Sequence, residues 1–190
     1  YISLRRNIIL PIRKLADIAK KIGAGDLSAK LKIEKPYEFA QLASTFDKMS
    51  SDIKTITKKQ FRLESELSIA KSIQDSSLPS VFPPFPEKKE FNIYASMAPA
   101  KEVGGDFYDF FMIDEKHFAV VVGDVSGKGV PAALFMVVAK TLIKNRAQMG
   151  ETPAQILKFV NNELCEGNDA ELFVTVWIAI IELSTGKGLA

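Results

Sequence analysis

Cysteine occurs once in the 190 residues, at position 165, and histidine once, at position 117. One Cys excludes an internal disulfide framework and any zinc site built on a cysteine cluster, and one His excludes a His-rich metal site. A metal in this chain therefore has to be held by oxygen, from carboxylates and carbonyls. No apolar run approaches the ~20 residues of a membrane-spanning helix. What is present is 47% hydrophobic and 25% charged residues. That is enough apolar material for a core and argues against a wholly disordered chain. The length suits one domain or two small ones. The sequence opens on Tyr1 and stops at Ala190 inside a strand-like pattern, and reads as a piece of a longer protein.

The formal charge of +2 hides two unlike halves. Residues 1–78 hold 15 Lys and Arg against 9 Asp and Glu, whereas residues 79–190 hold 10 against 14. The basic residues of the first half are scattered along helical patterns without interleaved aromatics, so no nucleic-acid partner is expected. Arg5 and Arg6 at the start suit the cytoplasmic end of a membrane helix lying upstream.

In residues 1–23, Ile8, Ile12, Leu15, Ala19 and Ile22 follow the 4, 3, 4, 3 spacing of a heptad seam. Pro11 falls near its start, and Gly23-Ala24-Gly25-Asp26 stops it. Residues 26–36 read as an extended connector, with Leu27, Leu31 and Ile33 able to pack. A second seam runs through Phe39, Leu42, Phe46, Met49, Ile53 and Ile56 and continues weakly through Gln60, Leu63, Leu67, Ala70 and Gln74. No Gly or Pro interrupts Tyr37 to Leu78, so one long helix is expected. Such a seam suits a parallel dimer, with an intramolecular helical hairpin as the alternative. Ile69 and Ile73 miss the seam and are expected to dock on the domain that follows, with a thickened coiled-coil core as the alternative. Pro11-Ile12-x-x-Leu15, Gly25-Asp26-Leu27, and Glu38-x-x-x-Leu42 with Phe46 and Met49 together resemble a HAMP domain, although Ala40 stands where that family often has Gly. The resemblance implies a dimeric helical relay on the cytoplasmic side of a bacterial cell membrane.

Residues 79–86, Pro-Ser-Val-Phe-Pro-Pro-Phe-Pro, hold 4 of the 9 prolines and end any helix. They form a linker, or a strap whose Phe82 and Phe85 pack down. The period then changes. Strands are expected at 91–98, 106–113 and 117–124, the last two joined by Asp114-Glu115-Lys116. A helix is expected at 130–149, another opening at Thr152-Pro153, and a long strand from Glu171 to Leu183 turned by Ser184-Thr185-Gly186-Lys187. Strands joined by tight turns pair antiparallel, and helices grouped after them make an α+β layered domain.

Two segments carry the chemistry: Gly104-Gly105-Asp106-Phe107-Tyr108-Asp109, and Gly123-Asp124-Val125-Ser126-Gly127-Lys128-Gly129. Each sets an Asp beside Gly at a strand end. Gly lets an ion or phosphate approach the backbone, and Asp supplies hard oxygen suited to magnesium or manganese. The competing reading is a pair of ordinary turn aspartates. A P-loop fails on spacing, since three residues separate Gly123 from Gly127-Lys128 where four are needed. A GGDEF-type cyclase reading fails because Tyr108-Asp109 follows and no Asp-rich segment precedes. Both segments together, with Val-Pro-Ala-Ala-Leu after the second, resemble the metal-dependent PPM-type Ser/Thr phosphatases of the SpoIIE and RsbU kind. Glu66-x-x-x-Ala70-x-x-Ile73-Gln74 with Leu78-Pro79, and Glu182-Leu183-x-Thr185-Gly186-Lys187, resemble the preceding linker and a later hairpin of that family.

This resemblance implies a β-sandwich flanked by helices, two Mn2+ or Mg2+ ions, and attack of an activated water in line on phosphorus. Asp106 and Asp124 would be metal ligands, with the carbonyl of Val125 a third. Further Asp ligands would follow beyond Ala190, so the site as it stands would be incomplete and the fragment inactive. Asp109 would order a water at the metal or be a solvated strand residue, and Lys128 would attract phosphate or be a plain turn lysine. His117 is expected at a turn and Cys165 as a small packed residue. The organisation expected is a HAMP domain over 1–57, a coiled-coil linker over 58–78 and the N-terminal part of a phosphatase domain over 79–190. The expected function is a membrane-receptor protein phosphatase, dimeric through HAMP and linker helices, acting on a phosphorylated STAS-type anti-sigma-factor antagonist. The rival is a non-catalytic dimeric scaffold whose phosphatase-like half only binds a partner.

Overall fold

The structure is a computed structural model that describes residues 4–28, 30, 37–99 and 101–190. The chain forms two compact units, Tyr1–Ser65 and Glu66–Ala190.

In the first unit, helix α1 spans Leu10–Gly23, preceded by a π-helical turn at Arg5–Ile9. Pro11 sits in its first turn, directly after the π-helical turn. Lys20 and Lys21 lie in its last turn, favourable against the partial negative charge there. Helix α2 spans Tyr37–Ser77 without interruption, as its lack of Gly and Pro requires. Leu15 and Ala43 are buried, with Phe39, Phe46 and Ile18 around them. Ile8, Ile12, Leu42, Met49, Ile53 and Ile56 stay 36–58% exposed in a single copy. The expected connector, including Leu31 and Ile33, lies largely outside the described residues. Leu27 is described, and its carbonyl accepts from the Ser50 hydroxyl at 3.1 Å.

The second unit is built on an antiparallel sheet in the order β1-β2-β3-β4. Its strands are β1 Phe107–Met112, β2 His117–Val125, β3 Val174–Glu182 and β4 Gly188–Leu189. Helices α3 (Val130–Gln148) and α4 (Pro153–Cys165) follow β2. Thr152 caps α4 in a capping box with Gln155, as the Thr-Pro pair indicated. One sheet face, with Phe107, Phe111, Ala119, Val121, Val125 and Ile178, buries against Ala132, Met136 and Ile143 of α3 and Ile156 and Val160 of α4.

The proline-rich segment is a strap on the other face. Phe82 packs on Phe110 at 5.7 Å, and Phe85 on Phe118 at 5.7 Å. Tyr108 donates to the Pro79 carbonyl at 2.8 Å. Three expectations fail in this unit. Residues 91–98 form no strand; their burial alternates residue by residue, but no neighbouring strand supplies a ladder. Phe91 instead lies 4.4 Å from Phe118, ring to ring. The strand expected from Glu171 begins only at Val174, because Glu171 takes a left-handed conformation at φ 50°. Cys165, expected to be packed, is exposed at the end of α4.

Candidate functional site

The β1–β2 register pairs Phe107 with Gly123. One further step sets Asp106 opposite Asp124, and the Val125 amide closes that end by donating to the Gly105 carbonyl at 3.4 Å. Side chains at a position between hydrogen-bonded pairs approach most closely. The two carboxyls meet. A side-chain hydrogen bond from Asp124, then partial burial, then the Asp124 charge push the Asp106 carboxyl above the ordinary aspartate range. Two close carboxylates repel, and a divalent cation between them would relieve that repulsion.

Glycine is required at two points of this corner. A Cβ on Gly123 would lie 2.4 Å from the Phe107 ring. A Cβ on Gly105 would lie 2.8 Å from both the Cβ and the carbonyl oxygen of Val125. The Val125 carbonyl therefore lies close over Gly105, next to Asp106, while its side chain is in the core. Two opposed carboxylates and a carbonyl beside a glycine are the hard-oxygen set that magnesium or manganese takes. In donor chemistry the residues fit the expected metal. Among the described residues no cluster of three or more His, Cys, Asp or Glu stands together, so the corner is a partial ligand set.

The corner opens into a cleft of about 770 Å³ lined by Tyr94, Tyr108, Val122, Thr175 and Trp177 as well as both aspartates. Another cavity, of about 510 Å³, lies at the other end of the strands around Asp114, His117 and Glu182. Its carboxylates are already engaged. Asp114 holds His117 Nδ1 at 2.7 Å and the amides of Lys116 and His117, and Glu182 accepts from the Thr185 hydroxyl at 2.7 Å. The Asp106–Asp124 end is therefore the candidate site.

The structure does not bring Asp109 to that corner. It faces α3, is 2% exposed, and lies 2.6 Å from the Lys140 ammonium, at an angle outside that of a hydrogen bond. Both expected roles, ordering a water at the metal and facing solvent, are thereby excluded. Lys128 is exposed in the β2–α3 loop. The sequence placed Gln74 in the seam and in the linker motif but gave it no role near the site. Its amide nitrogen donates to the Gly104 carbonyl at 2.6 Å, and its oxygen accepts from the Gly104 amide at 3.1 Å. Gln74 is 3% exposed, whereas Ile69 and Ile73 are 59% and 63% exposed. The docking face of α2 is thus the one holding Gln74, with Leu78 just beyond the helix end, and the expected docking through the two isoleucines is corrected. A polar residue breaking an apolar seam was the available signal.

The family model for the HAMP domain matches residues 3–55, and that for Stage II sporulation protein E (SpoIIE) matches residues 114–188. The chain joins a HAMP domain to a SpoIIE-type PPM phosphatase domain. Protein IcfG of Synechocystis sp. is 34% identical over 167 residues, covering 84% of this chain and 26% of that protein. Phosphoserine phosphatase RsbU of Bacillus subtilis is 33% identical over 120 residues, covering 63% of this chain and 35% of that one. The chain therefore spans about a quarter to a third of the length of these relatives. The solved SiaA-PP2C domain of Pseudomonas aeruginosa shares the fold, at TM-score 0.54 and 23% identity, over 67% of this chain and 51% of that one. The relatives indicate a serine/threonine phosphatase domain, in a family whose members use divalent metals. HAMP domains sit in membrane-linked signalling proteins and commonly dimerise. No helix among the described residues is long and apolar enough to cross a membrane.

Proposed function

We propose that the protein is a metal-dependent serine/threonine phosphatase controlled by a HAMP and coiled-coil relay. It works at the cytoplasmic side of a bacterial membrane and removes phosphate from a STAS-type anti-sigma-factor antagonist. The supporting observation is the opposed pair Asp106–Asp124 beneath the glycine corner. In this reading residues 1–57 are the HAMP relay, 58–78 the linker, and 79–190 belong to the phosphatase domain. The protein acts as a homodimer through its HAMP and linker helices.

Asp106, Asp124 and the Val125 carbonyl would hold two Mn2+ or Mg2+ ions, together with ligands from elsewhere in the full protein. The bound ions supply positive charge that acidifies water and neutralises phosphoryl oxygens. The chain's own residues set the geometry. The β1–β2 register holds the two carboxylates face to face. The cleft beside them, walled by Tyr94 and Trp177, gives a phosphorylated side chain access to the pair. Phosphoserine is the substrate class that the likeness to RsbU supports.

The partial ligand set is what a non-catalytic, partner-binding scaffold would also show, and one experiment separates the two readings. In full-length protein with manganese, Asp106→Asn and Asp124→Asn should each cut phosphate release from a phosphorylated STAS-type protein by more than about a hundredfold. Loss of a direct ligand should exceed the ~10–100-fold cost of disturbing groups behind one. Circular dichroism should show both variants folded. Wild-type turnover in either variant defeats the site assignment, and no turnover in the wild type supports the scaffold.

A further inference from the structure

We infer that Ser126, braced by the loop from Asn168 to Phe173, is a positioning residue that aims the Val125 carbonyl at the Asp106–Asp124 corner. The inference rests on the reading of that corner as a metal site.

Val125 and Val174 form the last regular pair of β2 and β3. At the next rung the Ser126 amide donates to the Phe173 carbonyl at 2.8 Å. The return bond is unusual, since the Phe173 amide donates at 2.9 Å to the Ser126 hydroxyl and not to its carbonyl. The side chain takes over the backbone acceptor. The chain is thus free to leave the sheet for α3 while the Ser126 amide stays pinned to β3. That amide shares one peptide plane with the Val125 carbonyl. In a trans peptide the C=O and N–H point in opposite directions. With the N–H fixed toward β3, the carbonyl is turned toward β1. The 2.8 Å approach of that oxygen to a Cβ position on Gly105 of the β1 side is an independent sign of the same direction.

The brace is itself built. Asn168 grips Leu172 from both sides, donating from its amide nitrogen to the Leu172 carbonyl at 2.7 Å and accepting from the Leu172 amide at 3.1 Å. The Glu171 amide returns to the Asn168 carbonyl at 3.0 Å, with Glu171 in the left-handed region. The position of the Phe173 carbonyl is therefore set by this loop, and through Ser126 it sets the carbonyl offered to a cation. A donor already oriented needs no reorganisation when the ion arrives, which is the general value of preorganised dipoles.

The test uses full-length protein, manganese titration followed by electron paramagnetic resonance, and amide hydrogen exchange without metal. Ser126→Ala and Asn168→Ala should each weaken manganese binding by about tenfold, the lower end of effects from groups behind a ligand. Both should speed exchange at the Ser126 amide. Ser126→Thr keeps the hydroxyl and should restore both readouts. Asp106→Asn should remove binding while leaving the Ser126 amide protected. Wild-type manganese affinity in Ser126→Ala and Asn168→Ala overturns the positioning role while leaving the site in place. Wild-type affinity in Asp106→Asn removes the site itself, a result the other variants cannot produce.

Discussion

Asp106 and Asp109 stand three residues apart, and the two-residue period of a strand sends them to opposite faces. Asp106 meets Asp124 over the cleft. Asp109 goes under α3, where Lys140 lies at 2.6 Å and Lys144 at 3.9 Å. Lys144 also lies 4.9 Å over the Phe111 ring. The parity was readable in the motif, but which face would carry the site was not, since both faces have apolar neighbours. The pairing itself makes a prediction. Lys140→Met should cost about 3–5 kcal/mol in a urea melt, because it strands a buried carboxylate whose other cation is half exposed. Asp109→Leu combined with Lys140→Met should recover most of that, since an apolar pair of similar volume removes the desolvation penalty. At the far end of the sheet, hydrogen bonds from the His117 side chain and the Lys116 amide hold the Asp114 carboxyl below its ordinary value. Its contribution is present in full above the unfolded-state pKa and is lost as pH falls through the folded one. A carbon-detected NMR titration should find that lowered midpoint, and Asp114→Ala should make stability less sensitive to acid across that window. An ordinary midpoint would mean that the Asp114 turn does not hold in solution.

At the scale of elements, α2 was legible as a single helix because nothing in it breaks one. Its apolar stripe was legible too. Its cover was not. The spacing of Leu63, Leu67, Ala70 and Gln74 describes one face, and a second copy and the chain's own sheet unit satisfy that spacing equally. Burial decides: Gln74 and Leu78 are covered within the phosphatase unit, and Ile69 and Ile73 are left out. Ile69 and Ile73 lie beside the heptad seam, and in a dimer that thickens its core around that seam they would be covered by the other copy. Ile69→Asp with Ile73→Asp should therefore raise the dimer dissociation constant in sedimentation by tenfold or more, at about 1.4 kcal/mol per factor of ten. Gln74→Ala should leave the dimer intact and lower phosphatase activity, because it removes both bonds to Gly104, two residues from Asp106. An unchanged dimer in the isoleucine variant would place the contact elsewhere. The segment 91–98 teaches the reverse lesson. Its alternation was real, but alternation records which side is covered and says nothing about whether a neighbouring strand is there to bond.

At the scale of the whole molecule, the change of period at the proline-rich segment and the shift from a basic to an acidic half marked two kinds of domain before any fold was known. The paired aspartates were legible because each sits beside Gly at a strand end. The Val125 carbonyl was reachable only through family resemblance, since a backbone oxygen leaves no trace in a side-chain pattern. In the proposed relay, a signal entering through the HAMP helices can change activity only by the difference in free energy it makes between two states of the linker, typically ~1–3 kcal/mol. The central claim is that the glycine corner holds the catalytic cations. The most direct measurement is anomalous diffraction at the manganese edge from crystals of the full-length protein grown with Mn2+. The account predicts a peak touching the carboxylates of both Asp106 and Asp124, at about the 2.0–2.2 Å of a small hard cation and its oxygens. A peak only at the Asp114–His117 end, or an empty corner in protein that still releases phosphate, would contradict it.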